Sequence, residues 1–300
     1  VREKAGFYAE AKTNTAVCAV VNLLLVVLKF AAGFWGRSSA LVADGLHSLS
    51  DLLTDLAVFI GLRFSEQPAD ECHNYGHEKY ETLVTALIGI FLFIAGYEVL
   101  KAGVAKIIQI ARGTIPPGPS HIALAVALLS IIAKEILYRY SAAVGRRLNL
   151  PSVTANAWHH RSDAFSSIGV FIGIGGSILL GEKWLVLDPL ASVVVSLFIF
   201  QVAYRVIVPS IHELTDAAVS EEQKKKITDI IHSCAKVKAF HKLRTRKIGN
   251  KVIIDMHILV DKEIDLISAH NIASSLEEEL KQVFNTSAII TIHVEPDVTA

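Results

Sequence analysis

Read for hydrophobicity, the chain divides into a long apolar part and a short polar one. A helix that crosses a bilayer needs about 20 mostly apolar residues. Residues 15–35 form such a run, interrupted by Asn22 and Lys29. A tight Gly36-Arg37-Ser38 connection leads to a second run, 40–64. A polar loop rich in histidine and acid covers 65–79, and a long third run covers 80–110. Residues 113–120 hold three of the eight prolines and predict a loop. The fourth run is 121–140, a basic connection spans 141–152, and the fifth run is 153–180. After Gly181-Glu182-Lys183, a sixth run covers 184–208, with Pro209 near its end. The pattern predicts an α-helical membrane protein with six transmembrane helices.

Beyond Asp216 the periodicity changes. Residues 220–235 read as a polar helix, with Ser220 as N-cap and Glu221 and Glu222 in the first turn. Two strands, 241–248 and 251–260, are predicted on either side of Gly249-Asn250, with Ile254, Met256 and Ile258 on one face of the second. Residues 268–284 carry the 3.6-residue period of an amphipathic helix, and 288–294 read as a last strand. The order αββαβ predicts a small α+β domain with two helices on one face of a three-stranded sheet. The expected domains are 1–212, in the membrane, and 213–300, in the cytoplasm.

Composition sharpens this reading. A hydrophobic fraction of 52%, a charged fraction of 19% and a mean hydropathy of +0.45 argue against a soluble protein. Charge is sparse up to Pro209 and dense after it. The net charge is zero and no basic tract exists, so nucleic acid is not an expected partner. Cys18, Cys72 and Cys234 form no CxxC pair, which speaks against a disulfide framework or a thiolate metal site. Arg2, Lys4, Lys12, Arg139, Arg146 and Arg147 would lie on one side of six spans, and Arg37, Arg112 and Lys183 on the other. That bias places both termini in the cytoplasm.

The second run carries Asp44, His47, Asp51 and Asp55, spaced to form one helical stripe. A charged side chain at mid-bilayer costs about 2.5–3.5 kcal/mol on insertion scales. The stripe must therefore face the bundle interior or water. The fifth run repeats His-x-x-x-Asp as His159 and Asp163. Two such helices face to face bring two imidazoles and two carboxylates around one point, a donor set suited to a tetrahedral divalent ion such as zinc. The two aspartates would cancel the charge of the ion. The competing reading is a polar cluster that only joins helices. Asn156 shares the face of His159, whereas His160 is expected to point elsewhere.

Two further groups lie outside the spans. Asp70, His73 and His77 would offer a second ion site, or form an ordinary solvated loop; His77-Glu78-Lys79-Tyr80-Glu81 is not the HExxH of zinc proteases. In the polar domain, His241, His257, His270, His293 and Glu295 suggest a third metal site, against a reading as surface histidines. His293 and Glu295 are two apart on a strand and so point to one side.

Together these residues resemble the cation diffusion facilitator family of divalent-metal transporters, over nearly the whole chain. The likeness rests on the six spans, the two His/Asp motifs, the loop 68–79 and His241-Lys242-Leu243-Arg244-Thr245-Arg246. It looks closest to the bacterial ferrous-iron and zinc efflux branch, which implies a bacterial inner membrane. The resemblance implies that His47, Asp51, His159 and Asp163 form the transport site, and Asp70, His73 and His77 a loop site. It implies a ferredoxin-like cytoplasmic domain that makes a homodimer around a binuclear site of His241, His257, His270, His293 and Glu295. It also implies an ion pair between Lys79 and Asp216 near the dimer hinge. The branch pattern has Asp where His47 and Glu295 stand here, and His/Asp on both helices resembles the wider zinc-transporting members. Manganese-type members resemble the chain less, since they usually carry Asp where His159 stands.

The expected function is a secondary transporter, not an enzyme, that exchanges a divalent cation for protons across a lipid bilayer. Zinc is the expected substrate and a structural ion of the cytoplasmic site, with iron, cadmium and cobalt as further cargo; no organic cofactor is expected. Burial and like charge favour protonated carboxylates in an empty site, and metal binding requires them deprotonated, which couples the two ions. Two other classes fit less well: a metal-sensing receptor or scaffold, and an intramembrane metalloenzyme, which would need a metal-activated water beside an acid.

Overall fold

Each predicted apolar run becomes a long helix: α1 (Arg2–Trp35), α2 (Ser39–Ser65), α3 (Lys79–Ala111), α4 (His121–Arg147), α5 (Pro151–Leu179) and α6 (Leu187–Leu214). The structure, a computed structural model, describes residues 2–65, 69–148, 151–249, 251–284 and 288–298, with side chains given outside 2–12, 55, 57–65, 151–152 and 155. Arg2, Lys4, Lys12, Asp55 and Asn250, singled out above, therefore lie outside the described side chains. Among the described residues, five helical stretches are long and apolar enough to cross a membrane.

Several boundaries differ from the sequence expectation. The 141–152 connection is mostly helix, because α4 continues to Arg147 and α5 opens at Pro151. Arg146 and Arg147 suit the negative end of the α4 dipole, and proline suits a first helical position. Likewise α6 runs through Pro209 to Leu214. Proline there removes one N–H donor, and the turns on either side still close.

Residues 1–57 and 87–207 form one compact unit. Its core is made of small and aliphatic residues from five helices, among them Ala32, Ala40, Leu41, Ala43, Ala127, Ile174 and Ile199. Lipid tails supply no hydrophobic drive between helices, so close backbone approach and polar contacts hold them. Gly96 and Gly103 of α3 lie where an added Cβ would meet Ile199 and Val193 of α6 at 3.0 and 3.1 Å. Asp188, in the first turn of α6, caps α2: its carboxylate accepts from Ser38 Oγ at 2.6 Å, Ser39 N at 2.8 Å and Ala40 N at 3.3 Å. Those two N–H groups belong to the helix start and have no intrahelical acceptor.

Residues 58–86 and 208–300 form the second unit. It contains α7 (Glu221–Ser233), β1 (Ala239–Ile248), β2 (Lys251–Val260), α8 (Leu266–Phe284) and β3 (Ile289–Pro296). Ser220 caps α7, accepting from Gln223 N at 3.3 Å. The sheet order is β1-β2-β3, antiparallel for the first pair and parallel for the second. A parallel pair needs a crossover, and α8 supplies it. Ile254, Met256 and Ile258 of β2 are buried against Ile227 and Ile231 of α7 and Ile272, Leu276 and Leu280 of α8. The other face of the sheet carries the histidines.

Candidate metal centres

In the first unit, one ligand atom each from His47, Asp51 and Asp163 lies within 4.8 Å of the others. His159 joins them: Nε2 is 3.9 Å from Asp51 Oδ1 and Nδ1 is 3.8 Å from Asp163 Oδ1. Ligands around a tetrahedral zinc stand roughly 3.4 Å apart, so modest closure would seat an ion. The i, i+4 spacing sets both pairs on single faces of α2 and α5, and helix packing sets the faces together. His47 Nδ1 and Asp51 Oδ2 are buried without a hydrogen-bond partner. Such orphaned atoms are costly unless something binds them. The group opens on a cavity of about 740 Å³, whose walls include Val170, Val194 and Phe198 and whose polar lining includes Ser162, Ser166 and Arg205.

Two buried lysines have partners that the sequence did not show: Lys134, and Lys29 of the first apolar run. Lys134 Nζ donates to Asp163 Oδ2 at 2.7 Å. Lys29 Nζ sits 2.7 Å from Asp44 Oδ2 and donates to Ser48 Oγ at 2.9 Å and Ser167 Oγ at 3.4 Å. Asp44 is thus taken by a structural pair and is not part of the His47 group. The expectation of a neutral filled site omitted Lys134, whose charge lies beside one of the two carboxylates. The signal was available: a lysine inside a spanning run requires a partner. His160 is buried beside half-exposed His159, and neither of its ring nitrogens has a partner.

The loop group is also assembled. His77 Nε2 is 3.2 Å from Asp70 Oδ2, His73 Nδ1 is 3.4 Å from Asp70 Oδ1, and the two rings are 4.6 Å apart. The His73 N–H, then the Cys72 N–H and the two imidazoles, hold the Asp70 carboxyl below its ordinary range. Ionised Asp70 is the form that binds a cation. Close by, Lys79 Nζ and Arg246 Nη1 both donate to Asp216, at 3.0 and 3.1 Å.

On the sheet, His241 pairs with His257 and His257 with His293, so three imidazoles form one row across the strands. Glu295, two residues along β3, reaches His257 Nδ1 at 2.7 Å, His241 Nε2 at 3.2 Å and His293 Nε2 at 3.6 Å. The His257 hydrogen bond first, with the charges of His241, His257 and Lys242, holds the Glu295 carboxyl below its ordinary range. A bulge between His241 and Arg244, with Lys242 at φ 52°, interrupts the regular ladder beside His241. His270 is not brought to this row within one chain. It lies exposed on α8 with Nε2 3.5 Å from Ser274 Oγ, because α8 packs on the opposite face.

Comparison with known proteins matches two successive stretches of the chain. The cation efflux transmembrane domain model covers residues 15–215 and the cation efflux protein cytoplasmic domain model covers 219–297. The chain belongs to the cation efflux family. The family's members are transporters, and this member is a membrane-spanning one. It is 32% identical to the manganese efflux system protein MneP of Bacillus subtilis, over 93% of this chain and 94% of that protein. It is 34% identical to metal tolerance protein C1 of Arabidopsis thaliana, over 91% of this chain and 59% of the relative. A solved structure, described as the metal-bound C-terminal domain of the CzcD transporter from Thermotoga maritima, matches 26% of this chain and 94% of its own at 27% identity, with a TM-score of 0.23.

Proposed function

We propose that this cation efflux protein exports a divalent cation, zinc first, in exchange for protons. The observation that carries the reading is the gathering of His47, Asp51 and Asp163 within 4.8 Å, with His159 beside them, on helices of the membrane domain. Imidazole and carboxylate donors suit zinc, and also iron, cobalt and cadmium. The same donors bind protons when the ion leaves, so an access change that favours one occupant on each side makes an antiporter. Residues 1–212 act as the transport domain in a bacterial inner membrane, with both termini in the cytoplasm. Residues 213–300 bind zinc through the histidine row and hold a homodimer. The loop group of Asp70, His73 and His77 is a second ion site.

The relative named for manganese efflux makes manganese the rival cargo. The test is flux into sealed proteoliposomes with an internal metal dye, with and without an imposed pH gradient. Zinc uptake that follows the gradient and disappears in Asp51→Ala and Asp163→Ala is the expected result. Manganese flux exceeding zinc flux would reassign the cargo. Unimpaired zinc flux in either variant would overturn the site. Zinc binding without movement of any metal would favour the sensor or scaffold reading.

A further inference from the structure

We propose that Lys134 is the resident counter-cation of the membrane site: it holds Asp163 between transport events and yields that carboxylate to the incoming ion. The inference rests on the transport-site reading above. Lys134 lies midway between the ends of α4, is 1% exposed, and its ammonium is 2.7 Å from Asp163 Oδ2. A divalent ion bound by Asp51 and Asp163 would therefore meet a third positive charge at contact range. In a dry site that repulsion is large.

The comparison with Lys29 shows what is distinctive. An ammonium has three donors. Those of Lys29 meet Asp44, Ser48 and Ser167, which makes a saturated lock between α1, α2 and α5. Among the described residues, Lys134 has Asp163 as its one partner. Unused acceptors lie along its path. Ser130 Oγ, fully buried and unpartnered, is one turn before Lys134 on α4. Helical side chains lean toward the N-terminus, so Lys134 lies over that turn. His160, an electrostatic neighbour of Lys134, has neither ring nitrogen partnered, and in the neutral ring one of the two is an acceptor. The ammonium can leave Asp163 without leaving the protein interior for bare lipid.

Two consequences follow. With the lysine in place, the empty site holds two carboxylates and one ammonium, a smaller uncompensated charge for the return stroke. With cargo bound, the displaced lysine favours release. Lys134 thus lowers affinity for the ion and sets how readily it leaves.

The test is zinc binding by isothermal titration calorimetry to the full chain in nanodiscs. Substitutions His77→Ala and His257→Ala silence the other two groups. Lys134→Met and Lys134→Gln are expected to bind zinc at least about tenfold more tightly than the parent. Lys134→Arg, which keeps the charge, should stay within about threefold of it. A monodisperse gel-filtration peak is the check on folding, and Lys134→Gln decides if Lys134→Met does not fold. Binding that depends on Asp163 yet is equal or weaker in the neutral variants overturns the counter-cation alone. Tightening by Lys134→Arg as great as by Lys134→Met does the same. Binding that survives Asp163→Ala undiminished overturns the transport-site reading, and this inference with it.

Discussion

Lys29 and Asp44 form an ion pair out of all contact with solvent, Nζ to Oδ2 2.7 Å, with side chains 0% and 1% exposed. A buried pair rarely adds net stability, but removing one partner strands the other. Lys29→Met should therefore destabilise the protein by about 3–5 kcal/mol, and Lys29→Met with Asp44→Leu should recover most of that loss. Thermal melting in detergent distinguishes them. A single variant as stable as the parent would mean that the pair is not a lock.

Asp188 tests how α2 is held. Asp188→Ala leaves two helix-start N–H groups and Ser38 Oγ without their acceptor, and should cost about 1–2 kcal/mol. Asp188→Asn keeps an acceptor and should cost less. Because α2 carries His47 and Asp51, zinc flux should fall in Asp188→Ala, with zinc binding by the histidine row unchanged from the parent.

Asp216 gives a dependence on pH. The Lys79 hydrogen bond first, then Arg246, holds its carboxyl below the ordinary range. A lowered carboxylate stabilises the folded state above its unfolded pKa, and the benefit is lost as pH falls through the folded value. Asp216 and Lys79 are 43% and 39% exposed, so screening limits the contribution to roughly 0.5–1 kcal/mol. Melting of parent and Asp216→Asn from about pH 7 down to about pH 3 should show a gap that closes in acid. A gap that widens in acid would contradict the sign.

The histidine row predicts a response to metal removal. Chelation should lower the melting temperature of the parent protein, and zinc should restore it. His257→Ala, which removes the central imidazole, should weaken zinc binding by roughly tenfold or more. Disabling His241 and His293 together should weaken zinc-dependent dimer stability more than it harms flux. His270→Ala, on the other side of the sheet, should leave zinc binding to a single chain unchanged. Equal stability of the parent with and without zinc would remove the structural role of the metal.

Periodicity alone determined much of this protein. Apolar runs of bilayer length become helices because nothing else satisfies the backbone in lipid. The His-x-x-x-Asp spacing places each pair on one helical face, and alternation in β2 buries Ile254, Met256 and Ile258. The order αββαβ was readable for the same reason. Helix ends were less so: basic residues after 140 looked like a loop, yet they suit a helix C-terminus, and the longer α4 that they complete has Lys134 at its middle.

Tertiary structure alone decided which charges meet. Local spacing relates residues within one helix, whereas Lys29 with Asp44, Lys134 with Asp163, and Asp188 with the start of α2 each depend on the packing of separate helices. Sheet register likewise decided that His241, His257 and His293 share a row and that His270 stands behind it. The motifs named the donors; the packing set a lysine against one of them, and with it the charge that an incoming ion must displace.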